Sequence, residues 1–172
     1  MKFILVVLDY PGMGMNPVDE DYSEALCQYT ATKLPRIHPI FRFENEIKLA
    51  ESFLGLSISE GVRLNETREL LDILDTLYEN LSDPNSKLPD AQRKMLNHEE
   101  EVWLDVKDSM SRGDRRAAYL ISAHAHLNNA ISYLLECRAT EEFKEIITDY
   151  QLKYLVKLSI KIYREAIGHV ML

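Results

Sequence analysis

Few side chains in this sequence have the means to do chemistry, and their spacing decides what each can do. Between Arg115 and Arg138, the residues Tyr119, Ser122, His126, Asn129 and Tyr133 recur at intervals of 3, 4, 3 and 4. On a helix this spacing gathers them on one side, a polar and aromatic row that can hydrogen-bond to a ligand, a partner or a neighbouring helix. His124 and His126 flank Ala125 and resemble a metal pair, but on a helix their rings point about 200° apart, so they cannot share an ion. His124 falls instead on the apolar stripe of Leu120, Leu127, Ile131 and Leu134 and reads as a core histidine bonded to a neighbour. Further on, Lys153, Lys157, Lys161 and Arg164 stand at intervals of 4, 4 and 3, a basic row beside Tyr150 and Tyr154. Such a row suits a phosphate, or an acidic row such as Glu101, Asp105 and Asp108 on a neighbouring element. None of the five histidines has a Glu three positions before it, so the Glu-x-x-His pattern of bundle di-metal sites is absent.

Two short stretches carry resemblances. Glu66, Glu69 and Asp72, inside NETRELLDILD, resemble the second acidic helix of the all-α nucleoside triphosphate pyrophosphatases. That resemblance implies carboxylates around magnesium and hydrolysis that releases pyrophosphate. The upstream stretch Glu46-Ile47-Lys48-Leu49 departs from the family by placing Leu49 where a second carboxylate belongs. Arg164 and His169 resemble the Arg-x4-6-His pattern of HEPN-type ribonucleases, helical bundles in which Arg and His from two protomers face one RNA phosphate. The resemblance implies His169 as acid–base catalyst and Arg164 as stabiliser of the phosphate charge. Glu165 stands where that family usually has another polar residue.

The elements that must position these groups follow from periodicity and punctuation. Phe3 to Leu8 is a β-branched apolar run closed by Asp9-Tyr10-Pro11-Gly12, which predicts a buried strand. Its expected internal partner is Leu56 to Leu64, with pairing across a dimer as the alternative. Asn16 and Pro17 predict a helix start, with Val18, Tyr22, Ala25, Leu26 and Tyr29 at helical spacing up to Pro35. Pro39 opens a helix over 40–54 that stops at Gly55, and a third helix spans 65–81. From Asp90 onward there is no proline and only Gly113 and Gly168, which predicts three long antiparallel helices over 89–112, 115–138 and 141–168. Asp114 and Thr140 are the expected caps of the last two. The fold class is thus mainly α, a bundle of about six helices with a small β element at residues 3–8 and 56–64, forming one domain over 1–172 with shorter helices in 16–81 and the long-helix bundle in 89–168.

The chain has 172 residues, 46% of them apolar, with 28 acids, 20 bases and a net charge of −8. This size supports a real core, and the charge argues mildly against a whole-surface attraction to nucleic acid or anionic membrane. Charge is uneven: residues 44–108 carry a net −9 and residues 109–172 a net +2. Cys27 and Cys137 are too few for a disulfide framework and read as reduced, buried small hydrophobes. No run has the length of a signal-peptide core or a membrane span, so the expectation is an intracellular, cytoplasmic protein. No glycine-rich phosphate loop and no serine or thiol nucleophile motif is present, and no cofactor is implied. These features together predict a non-enzymatic regulatory or adaptor protein working through helix faces, as a homo-oligomer or with a protein partner, from a cellular, viral or phage source. RNA binding by the basic row, with or without ribonuclease chemistry, is the alternative, and pyrophosphatase chemistry is the second.

Overall fold

The computed structural model describes residues 22–61, 64–102 and 107–168. The expected strand at Phe3–Leu8 and the helix start at Asn16 lie outside these residues, as does His169.

Tyr22 to Pro35 is a hairpin and not the end of a helix. Strands β1 (Glu24–Cys27) and β2 (Thr32–Pro35) pair antiparallel, with Ala25 opposite Leu34 and Cys27 opposite Thr32. Alternation wins over helical spacing here because Ala25, Cys27 and Leu34 share one face, with Cys27 and Leu34 buried, while Leu26 and Lys33 share the exposed other. Thr30 and Thr32 are β-branched and Pro35 lacks an N–H, both adverse to a helix interior. The turn holds Ala31 at φ 53°, a left-handed conformation that side chains rarely adopt. The small β element therefore exists, but among the described residues it lies at 24–35.

Helix α1 (Pro39–Ser59) begins as expected, with Pro39 at its first position and His38 accepting from the Ile40 N–H. It runs through Gly55, because the buried series Phe43, Ile47, Ala50, Leu54 and Ser57 keeps its helical period past that residue. Gly55 faces open space, and the helix ends instead at Gly61, whose φ of 77° is the left-handed closing residue. Leu56 and Ile58 are consequently helical, which corrects the strand expected at 56–64. Helix α2 (Leu64–Glu79) matches its expected place and packs on α1.

The first of the three expected long helices, at 89–112, is broken. Helix α3 (Asp90–Asn97) stops at His98, residues 98–102 are not helical, and α4 (Lys107–Ser111) is five residues long. Glu99, Glu100 and Glu101 follow the end of α3, where the helix dipole disfavours acids. The Glu99 carboxylate and the carbonyls of Glu99 and Glu100 are captured by α6 instead, as described below.

Helix α5 (Arg115–Arg138) has the expected bounds, and Asp114 accepts from the N–H groups of Arg116 and Ala117. Helix α6 (Asp149–Gly168) starts eight residues later than Glu141. The Thr140 hydroxyl donates to the Cys137 carbonyl, and residues 141–147 form turns that insert Phe143 into the core. The α6 start is a capping box: Thr148 Oγ1 accepts from the Gln151 N–H at 3.4 Å and Gln151 Oε1 accepts from the Thr148 N–H at 2.8 Å. Gln151, only 1% exposed, also donates to Asn80 Oδ1 at 3.0 Å, and Asn80 donates to the carbonyls of Pro84 and Ser86. This buried amide pair fastens the loop after α2 to the foot of α6.

The long helices are thus α1, α5 and α6, with α5 in the middle. Arg42 lies over Tyr133, Phe53 against Tyr119 and Glu60 beside Arg115, so α1 and α5 run antiparallel. Arg138 pairs with Asp149 and His124 with Ser159, so α6 is antiparallel to α5 as well. Buried residues from the hairpin and the helices form one contiguous cluster that includes Cys27 and Cys137, both free thiols. Burial, then Glu136 and Cys27, push the Cys137 thiol up to about 12, which makes it unreactive.

Candidate functional site

Between Ala117 and Leu135, α5 carries no Asp, Glu, Lys or Arg, in a chain that is 28% charged. Its chemistry is therefore set by what its two neighbours bring to it.

On the α1 side lies the polar and aromatic row. His126 donates from Nδ1 to Glu46 Oε2 at 2.6 Å, and its ring stacks on Phe53 at 5.4 Å between centroids and 9° between planes. Tyr119 meets the same Phe53 at 6.4 Å, and the Arg42 guanidinium sits 5.8 Å from the centre of the Tyr133 ring. Three of the five residues thus line the α1–α5 seam, while Ser122 is half-buried and Asn129 is exposed at its outer edge. Beside them on α1 stand Leu49 and Leu56, 42% and 43% exposed, together with exposed Asn45 and Ser52. Exposed Ala125 and Ser132 continue the same surface on α5.

On the α6 side His124 is bonded as expected of a core histidine. Its Nδ1 donates to the Ser159 carbonyl at 2.9 Å, its Nε2 accepts from the Asn128 amide at 3.1 Å, and the Ser159 hydroxyl donates to Asn128 Oδ1 at 2.6 Å. His124 and His126 therefore serve opposite flanks of one helix.

The basic row turns away from α5 toward the segment after α3. Glu99 is 7% exposed and lies 3.3 Å from Lys161 and 3.4 Å from Arg164. Lys157 donates to the Glu99 carbonyl, and Arg164 Nε to the Glu100 carbonyl at 3.1 Å. Lys161 is also paired with Glu165 at 3.3 Å; burial acts to lower its ammonium, but Glu99 and Glu165 outweigh it and the net shift is upward. Lys153 lies over the Tyr154 ring at 5.1 Å and is exposed. The row meets an acidic segment of its own chain, at Glu99 and Glu100. Arg164 is thereby committed to Glu99 and Glu100.

A third group, unnoticed in the sequence, lies between α1 and α2. Burial, then Asp75, push the Glu51 carboxyl up to about 7, and burial followed by Asp72 raises Asp75. The two carboxyls lie close enough for Asp75 to make the Glu51 carboxyl hold its proton more tightly. Nearby, Gln28 donates to Tyr78 at 3.0 Å and to Glu44 at 3.4 Å, and Glu44 is raised by burial. Of the predicted metal residues, Glu66 and Asp72 are exposed and Glu69 half-buried, and among the described residues no three carboxylate, His or Cys groups converge to hold an ion.

Fold and site define a mainly helical bundle with an appended hairpin, whose central helix α5 has an aromatic-lined seam toward α1 and a hydrogen-bonded polar ring toward α6. The chain belongs to the DUF1940 family, a domain of unknown function, whose family model matches residues 26–168, from the hairpin to the end of α6. No curated protein matches it in sequence. Among the described residues, no helix is long and apolar enough to cross a membrane.

Proposed function

We propose that the protein is a non-catalytic adaptor that binds another protein surface, its own copy included, through the outer face of the α1–α5 pair. The observation that carries this reading is the run of uncharged exposed side chains on that face. Asn45, Leu49, Ser52 and Leu56 on α1 and Ser122, Ala125, Asn129 and Ser132 on α5 are all uncharged, with the exposed cations Arg42 and Lys48 beside them, on a chain of net charge −8. Depletion of charge with scattered apolar and amide groups is the composition of interface centres. It also lets a like-charged copy or an acidic partner approach with little repulsion. The seam beneath is rigid, because stacked Phe53 and bonded Glu46 and His126 hold it, so little ordering is lost on docking.

The basic row favours this reading over RNA binding. Lys157, Lys161 and Arg164 already contact Glu99 or Glu100, so phosphate would have to displace intramolecular partners. The test is a paired variant, Leu49→Glu with Asn129→Glu, both at exposed positions, compared with wild type by sedimentation and by cross-linked capture from the host. The expected result is loss of self-association or of specific captured proteins, with an unchanged far-UV spectrum. Identical sedimentation and identical capture would remove the proposal.

A further inference from the structure

A cavity of about 270 Å³ opens between α5, α6 and residues 101–102, on the flank of α5 opposite the proposed docking face. Val102, Val156 and Ile160 make its apolar wall. His124, Asn128 and Ser159 make a polar wall, and the Tyr163 ring lies 4.8 Å from the His124 ring, tilted by 33°. Its volume is about nine times that of one liquid water, room for roughly ten non-hydrogen atoms.

The polar wall is preorganised. His124 donates to the Ser159 carbonyl, Ser159 donates to Asn128, and Asn128 donates back to His124, so the three side chains fix one another in a closed ring. A carboxamide has two N–H donors and an oxygen with two lone pairs. The ring uses one donor and one lone pair of Asn128, which leaves one of each on an exposed side chain at the cavity. A ligand group that both accepts and donates matches that remainder, and a second carboxamide does so with the same geometry. The charge of the lining narrows the choice further. Among the described residues that line it Glu101 alone is charged, and Lys157 and Lys161 on the same helix are engaged with Glu99 and Glu165, so an anion finds no counter-charge among them. The flat rings of His124 and Tyr163 beside an aliphatic wall suit a planar body.

We propose that this cavity binds a small, neutral, ring-containing carboxamide. Benzamide has the size, the ring and the amide, and benzoate is its near-isosteric anion. The experiment follows backbone and side-chain amide resonances of the full chain during titration with each. Benzamide is expected to shift the Asn128 side-chain amide and the backbone signals of Val156 and Ser159, with a dissociation constant on the order of 1 mM or tighter, the range such a small ligand can reach. Benzoate is expected to bind at least about tenfold more weakly, and Asn128→Ala to weaken benzamide by about tenfold through the lost hydrogen bonds. Because Asn128→Ala also releases His124, a second variant separates binding from folding. Val156 is partly exposed, so Val156→Trp fills the cavity from its rim and should abolish the shifts with the far-UV spectrum unchanged. Absence of benzamide shifts in the wild type, shifts that persist in Val156→Trp, or equal binding of benzoate would each overturn the proposal.

Discussion

The two seams that hold α5 are built from opposite materials. Against α1 the helix sets rings, a His126–Glu46 bond whose partners are both less than a third exposed, and a looser Arg115–Glu60 pair at its start. Against α6 it sets a closed polar ring, and α6 carries on its far side the buried Glu99 with its cations. Apolar and ring contacts tolerate change in small steps, whereas a buried carboxylate and its cations stand or fall together. The ring-lined seam leaves its outer face able to take a partner, and the ion pairs on the far side of α6 fix the segment that borders the cavity.

Removing Glu99 should have the largest effect. Glu99→Ala removes the buried acceptor shared by Lys161 and Arg164, leaving them Glu165 and the Glu100 carbonyl, and is expected to destabilise the fold by about 1–3 kcal/mol in chemical denaturation, because both cations are partly solvated. If the loss is under about 1 kcal/mol, the contrast between the seams is false. The next effect depends on pH and sharpens the picture of α1, whose other edge faces α2. The Glu51 carboxyl is raised from 4.5 to about 7, so its contribution to stability is full below about 4.5 and is lost as pH rises through 7. Glu51→Gln keeps a hydrogen bond to Asp75 without the charge. It should flatten the fall in melting temperature between pH 5 and 8 and stabilise at pH 8 by about 1–2 kcal/mol, after allowance for solvent screening. Breaking the α1–α5 seam comes third. Glu46→Ala removes the His126 bond at a part-buried site and is expected to destabilise by about 1 kcal/mol, less than the Glu99 variant. The smallest change is a gain: Gly55→Ala, where a methyl group meets open space in a helix interior, should stabilise by about 0.5–1 kcal/mol in thermal melts.

The mainly helical class, the bounds of α5 and the Asp114 cap could be read because local signals and tertiary packing agree there. The opposite flanks of His124 and His126 were legible for the same reason, since helical geometry alone separates their rings. The hairpin at 24–35 was not, because its residues also satisfy a helical period and only the burial of Cys27 and Leu34 selects the alternation. Gly55 looked like a stop, yet a glycine on the solvent face costs a helix about 1 kcal/mol, less than burying Leu54 and Ser57 returns with the rest of that turn. Two signals were present and unused. Thr148-x-x-Gln151 is a capping box that marks the true start of α6, and three consecutive acids at 99–101 mark a helix end. Nothing in the spacing of Asn128, Ser159 and Tyr163 could reveal the cavity, since two helices must first be laid side by side. The pairing of Glu51 with Asp75 is illegible for the same reason.

The burial of both thiols turns the hairpin into its own clock. Cys27 belongs to β1 and Cys137 to the last turn of α5, and each is shut off from solvent as long as the hairpin lies on the bundle. An alkylating reagent can reach Cys27 only through an opening, so its labelling rate reads the frequency with which that strand pair lifts away, without any engineered probe. A docking event that steadied the hairpin would slow that clock, and one that pried it loose would speed it.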